Sequence, residues 1–140
     1  MSYLPYQCII QPISKDKLHL QMDTLIDKNI IVAVTGGIAA YKSAEIVRQF
    51  KRVNAQIRVI MTPGSKEFIR PLTLQALSGN PVYSELLDEE AEMGMSHIEL
   101  AKWADLILVA PASADFIADF THGKADNCLL YTSPSPRDKR

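Results

Sequence analysis

The sequence is poor in cysteine, in net charge and in long apolar runs, and each shortage argues against a class of protein. Its 140 residues include two cysteines, Cys8 and Cys128, whose positions suggest neither a metal site nor a disulfide framework. We therefore expect a reducing, cytoplasmic setting and no metal. Fifteen basic residues stand against 16 acidic ones, so no basic field favours a nucleic-acid partner.

Long apolar segments are also missing. No run approaches the ~20 residues that cross a bilayer. The N-terminus lacks a basic region followed by an apolar segment and a small-residue cleavage site. We expect neither a membrane partner nor a secretory signal. What is present is a 47% hydrophobic content, enough for the core of one domain.

The chain divides by character into three parts. Residues 1–26 contain prolines and no sustained period, so we expect an extension with the native start near Met22, or an arm that packs on a neighbour. Residues 27–127 form the predicted domain. Residues 128–140 are polar and turn-forming, and we expect them to be a non-native tail. Because only three strands are clear, the sheet is expected to be incomplete at the C-terminus.

The stretch from 28 to 43, KNIIVAVTGGIAAYKS, organises the domain. Its run from Ile30 to Val34 predicts a strand buried on both faces. Gly36 and Gly37 follow, and a helix is predicted from Ile38. A strand, a glycine turn and a helix start form an anion site, because backbone N–H groups and the helix dipole converge there. Glycine permits positive φ and a close approach. Taken alone, the motif fits equally well a tight turn that binds nothing.

Two further strands end in turns of small and polar residues. The strand 56–62 leads into the turn 62–65 and a short helix through Ile69, and a third buried strand, 106–110, leads into the turn 111–115 and another helix. A short extended piece is predicted at 82–87. Three such units predict a three-layer α/β fold with a doubly wound parallel sheet. Ligands of these sheets bind beyond the carboxyl ends of the strands, so the three turns should converge on one site.

Four segments together resemble a known family. They are TGGIAAYKS at 35–43, LTLQALSGNPV at 72–82, SHIELAKWADLILVAPASAD at 96–115 and HGKAD at 122–126. They are similar to bacterial phosphopantothenoylcysteine decarboxylase, the N-terminal flavoprotein part of a bifunctional coenzyme A biosynthesis protein. The resemblance covers about residues 28–127 nearly without gaps, and HIELAKWAD is its most discriminating string.

The resemblance implies a flavodoxin-like or Rossmann-like fold that binds FMN, in a homotrimer or a higher homo-oligomer. It implies decarboxylation of the small molecule 4'-phospho-N-pantothenoylcysteine to 4'-phosphopantetheine. Asp115 stands where many relatives have asparagine, and an ionised carboxylate cannot donate a hydrogen bond. By resemblance the FMN-binding residues are Gly36, Gly37, Ile38, Thr62, Ser65, Ala112, Ser113, Ala114 and Asp115.

The resemblance also assigns His97 as the catalytic residue. In the family, the substrate thiol is oxidised to a thioaldehyde, carbon dioxide leaves, and the resulting enethiol is then reduced. A histidine at a helix start, predicted here behind a Ser96 cap, could orient the carboxylate or move a proton. A lone histidine would more often only pack there, and this remains the interpretation of His19 and His122.

Two family features are absent from this sequence: the Pro-Ala-Met-Asn motif that holds the substrate carboxylate, and the flap cysteine that serves the final reduction. We therefore expect a fragment with little or no turnover. The alternatives are a related flavoprotein, such as a flavin prenyltransferase or a peptidyl-cysteine decarboxylase, and a non-catalytic FMN-binding subunit. A nucleotide-binding module without flavin is a further alternative.

Overall fold

The computed structural model describes residues 25–84 and 97–124, and its centre is a parallel sheet of four strands. The strand order is β3-β2-β1-β4. The chain therefore moves outward from β1 to β3 and then returns to place β4 on the other side of β1. This is the doubly wound α/β arrangement that the sequence predicts. The strands are β1 Asn29–Val34, β2 Gln56–Met61, β3 Val82–Tyr83 and β4 Leu106–Val109.

Helices cover both faces of the sheet. One face of β1 packs with Val47 and Leu74, and the other face packs with Leu100. Because β1 is covered on both sides, its sequence is a continuous apolar run rather than an alternating one. The helices are α1 Lys42–Arg52, α2 Pro71–Ser78, α3 His97–Trp103 and α4 Ala114–His122.

The two helices predicted after β1 and β2 both begin as 3₁₀ helices. The chain after the glycine turn forms a 3₁₀ helix at Ile38–Tyr41, and the α-helix begins only at Lys42. The segment after β2 is a 3₁₀ helix at Pro63–Glu67 and does not continue through Ile69. This 3₁₀ helix ends for a local reason: Arg70 precedes a proline, and its backbone is extended, with φ −76° and ψ 138°. A residue before proline disfavours the helical region.

The prediction that the strand at 106–110 is buried is also wrong. Leu106 is 42% exposed, and the other three residues of β4 are only half-buried. β4 is an edge strand among the described residues, paired there with β1 alone. An apolar run predicts a strand, but the position of that strand in the sheet depends on topology.

Several expectations fall outside the described residues. They concern the extension apart from residues 25 and 26, the Ser96 cap, and the tail at 128–140. Within the ranges that are described, no helix has both the length and the apolar character to cross a membrane.

Candidate functional site

A pocket lies beyond the carboxyl ends of the strands, where three turns meet. Its volume is about 210 Å³. The turns after β1, β2 and β4 all contribute to it, and α4 supplies one wall. The structure thus brings the three predicted turns together, as expected for a doubly wound sheet. The lining residues are Gly36, Thr62, Gly64, Ser113, Asp115, Phe116 and Asp119.

The first two turns touch through their glycine backbones. A Cβ built on Gly36 would lie 3.1 Å from the carbonyl carbon of Gly64 and 3.2 Å from its oxygen. Neither glycine has positive φ; among the described residues, the glycines that do are Gly79 and Gly123, which end α2 and α4. The expected conformational reason for the turn glycines is therefore not what the structure shows. Gly36 is needed because another backbone passes directly against it.

Thr35 joins the first turn to the third. Its hydroxyl donates to the carbonyl oxygen of Pro111 and accepts the N–H of Ser113 at 2.8 Å. Its backbone N–H also donates to Pro111 O at 3.3 Å. Thr35 is 1% exposed, so these bonds lie away from solvent. One buried side chain thereby fixes two strand ends at the switch point of the sheet.

Ser113 caps the N-terminus of α4 and orients the pocket wall that this helix forms. Its Oγ accepts the N–H of Phe116 at 3.2 Å, a side-chain cap at the helix N-terminus. Asp115 and Asp119 follow one helical turn apart, and both face the pocket. Lys124 forms an ion pair with the second of them, Nζ to Oδ1, at 3.2 Å. The wall therefore carries two carboxylates and one nearby ammonium group.

Five residues predicted to bind a cofactor do not line this pocket. Ile38 is 82% exposed, whereas Ser65 is fully buried and donates its hydroxyl to Thr62 O at 2.6 Å. The other three are Gly37, Ala112 and Ala114, and both alanines are exposed. His97 is the first residue of α3, but its side chain lies outside the described part of the chain.

Sequence reasoning missed three lining residues and the residue that joins the turns. Phe116 and Asp119 follow Asp115 at i+1 and i+4, so the helical period after the third turn was a usable signal. Gly64 lies in a turn that was predicted, but no pattern singled it out. Thr35 had no signal, because its role depends on contacts with residues more than 70 positions away.

The pocket suits part of a polyol phosphate. Hydroxyls of Thr62 and Ser113 and the glycine backbones offer polar partners, and the ring of Phe116 adds an apolar surface. Its volume is below the roughly 300–1,000 Å³ of pockets that enclose a whole ligand of drug size. It could therefore hold a phosphate with part of its polyol. Among the described residues, no grouping of histidine, cysteine and carboxylates could hold a metal ion.

The sequence model of the family described as Flavoprotein matches residues 19–133, which is most of the chain.

Curated relatives of this chain include coenzyme A biosynthesis proteins. The chain is 58% identical, over 112 residues, to the coenzyme A biosynthesis bifunctional protein CoaBC of Haemophilus influenzae. The match covers 76% of this chain and 28% of that protein. A probable phosphopantothenoylcysteine decarboxylase of Streptococcus mutans is 51% identical over 102 residues, with 73% of this chain and 57% of that protein covered. The chain thus spans less than a third of the first relative and somewhat over half of the second.

Solved structures agree on the fold. The FMN-dependent cysteine decarboxylase SpaF aligns with a TM-score of 0.69 and 28% identity, covering 77% of this chain and 62% of that one. A PPC decarboxylase mutant complexed with pantothenoylaminoethenethiol aligns with a TM-score of 0.63 and 28% identity, covering 76% and 59%.

Proposed function

Because the chain belongs to the Flavoprotein family, we propose that it binds FMN and acts in the decarboxylation of 4'-phospho-N-pantothenoylcysteine to 4'-phosphopantetheine. The observation that carries the proposal is that the turns after β1, β2 and β4 line one and the same pocket. It occurs in a chain that is 58% identical to a coenzyme A biosynthesis protein over the matched residues. The pocket supplies a place for the cofactor, and the identity favours the substrate.

The residues of the pocket would hold the phosphate and ribityl tail of FMN. Gly36 and Gly64 present bare backbone, and Thr62 and Ser113 present hydroxyls. These groups suit an anionic, hydroxyl-rich tail. The rest of the flavin would lie outside the described cavity, toward Gly37, Ile38 and the exposed Ala112 and Ala114. When bound, FMN supplies the oxidant for the substrate thiol.

His97 remains the proposed catalytic residue. As the first residue of α3 it would lie at a helix N-terminus, where the imidazole can orient the substrate carboxylate or move a proton. Asp115 is proposed to meet the hydroxyls of the ribityl tail, since an ionised carboxylate accepts but does not donate hydrogen bonds. Ser65 is proposed to act through the backbone of the second turn, because its own hydroxyl is engaged with Thr62.

A peptidyl-cysteine substrate is the second candidate, and one observation favours it. The alignment with the peptidyl-cysteine decarboxylase EpiD has a slightly higher TM-score than the alignment with the PPC decarboxylase, 0.66 against 0.63. The two structures are 25% and 28% identical to this chain in sequence. The 58% and 51% identities to coenzyme A proteins weigh more, because backbone similarity alone does not set substrate choice.

The test is a titration followed by a single turnover. The purified chain should bind FMN, with a change in flavin absorbance and fluorescence. Phosphopantothenoylcysteine, added without oxygen, should then slowly bleach the visible absorbance of the flavin. A cysteine-terminated peptide should not bleach it. The H97N variant should bind FMN with unchanged affinity and bleach more slowly. If the chain does not bind FMN, the proposed cofactor is wrong. If only the peptide bleaches the flavin, a peptidyl-cysteine is the substrate and phosphopantothenoylcysteine is not.

We also propose a cytoplasmic homotrimer or higher oligomer. Large apolar side chains lie exposed on the segments that follow β1 and β2, which suits contact with another subunit. Light scattering should give at least three chain masses in the presence of FMN, whereas a stable monomer would contradict the proposal. These exposed residues are Ile38 at 82%, Tyr41 at 60%, Phe68 at 50% and Leu72 at 72%.

A further inference from the structure

The α4 wall of the pocket has a charge that opposes the proposed ligand. Asp115 and Asp119 both line the cavity. A phosphate monoester carries a charge of about −1.5 to −2 near neutral pH. Two carboxylates on one wall would repel this group, and the hydroxyls of the other walls carry no charge to offset them. A cation close to the acidic wall would weaken this repulsion.

Lys124 supplies that cation, and the end of α4 fixes its place. Gly123 has a φ of 69° and turns the chain back at the end of the helix. The N–H of Lys124 then donates to the carbonyl oxygen of Asp119 at 3.0 Å, while its Nζ lies 3.2 Å from the carboxylate of the same residue. The backbone N–H and the side-chain ammonium group of Lys124 thus both contact Asp119. Over the described ranges, Asp115 has no ion-pair partner, so the wall keeps one net negative charge.

We infer that Lys124 tunes the pocket for a phosphate-bearing ligand by neutralising Asp119, and so favours FMN over riboflavin. This inference rests on the proposed function, because it requires the FMN phosphate to lie in this pocket. The lysine does not itself line the pocket, and it acts through the carboxylate that does. The effect of Lys124 on FMN affinity should therefore depend on the net charge of the α4 wall and not on the ion pair itself.

Four proteins test the inference: the unchanged chain, K124M, D119N and the double variant. Each is titrated with FMN and with riboflavin at low and at high salt. K124M should bind FMN about two- to fivefold more weakly, and D119N should bind it more tightly by a similar factor. The double variant has the net charge of the unchanged chain and should bind FMN as that chain does. Riboflavin affinity should vary less than FMN affinity among the four proteins, and the FMN differences should shrink at high salt.

The double variant separates charge from structure. If Lys124 only stabilises the end of α4, the double variant also lacks the ion pair and should stay as weak as K124M. That result would overturn the inference, as would four equal FMN affinities. K51M is the matched control, because it removes an exposed lysine from α1, which contributes nothing to the pocket. It should leave FMN affinity unchanged. If the unchanged chain binds riboflavin but gains nothing from the phosphate, both the inference and the proposed seating of FMN are overturned.

Discussion

Replacement of Gly36 by alanine should destabilise the chain and weaken FMN binding at least tenfold. The added methyl group would lie 3.1 Å from the carbonyl carbon of Gly64, 3.2 Å from its oxygen and 3.4 Å from its Cα. All three contacts are with backbone, so no side-chain rotation can relieve them. The turns after β1 and β2 must separate, and overpacking of this kind costs about 1–3 kcal/mol. Because both glycines line the pocket, its shape changes with the fold.

Gly37→Ala is the matched control for this prediction. A Cβ at Gly37 would meet only Pro111 Cγ, at 3.9 Å, which is ordinary contact. Its φ of 174° is extended backbone that any residue adopts. Thermal unfolding should therefore show a lower midpoint for Gly36→Ala, by about 4–8 °C per kcal/mol for a domain of this size. It should show little change for Gly37→Ala. Equal midpoints for the two variants would mean that the close approach of Gly36 to the backbone of Gly64 does not affect the stability of the chain.

The contrast between these two glycines shows how far sequence reasoning reaches. The pattern TGGI predicts correctly that a strand ends in a glycine turn, because the apolar run before it and the helix after it are local signals. The pattern cannot predict that alanine is more destabilising at Gly36 than at Gly37. The difference depends on Gly64, which is 28 positions away and arrives only when β2 pairs beside β1.

The strands illustrate the same limit. The predicted bounds of β1, β2 and β4 agree with the structure to within one residue, because β-branched and apolar runs are local signals. The predicted burial of β4 is wrong, because the sequence LILV suits a strand at the centre of a sheet and a strand at its edge equally well. The turns converge on one pocket because of strand order, which the sequence did not predict; the convergence itself was inferred from the fold class. Catalysis by His97 remains a prediction, because nothing in the described residues tests it.

Thr35→Val should cost about 1–3 kcal/mol of stability and loosen the turn after β4. Valine keeps the shape of threonine but removes the hydroxyl, so the N–H of Ser113 loses its acceptor at 2.8 Å. A buried donor left without a partner costs its full desolvation energy. Pro111 O is affected less, because it retains the backbone N–H of Thr35 at 3.3 Å. The loss should therefore concentrate on Ser113, which both caps α4 and lines the pocket.

Hydrogen exchange distinguishes this local effect from a general loss of packing. In Thr35→Val, the amide of Ser113 should exchange much faster, while amides in β1 and β2 should change only by the drop in global stability. FMN affinity should fall as well, because the third turn no longer holds one position against the first. Thr35→Ser is the control, since it retains the hydroxyl and removes only a methyl group. It should protect Ser113 as threonine does. If the serine and valine variants expose this amide equally, the buried hydroxyl does not join the two turns, and the pocket must be held by the strand pairing alone.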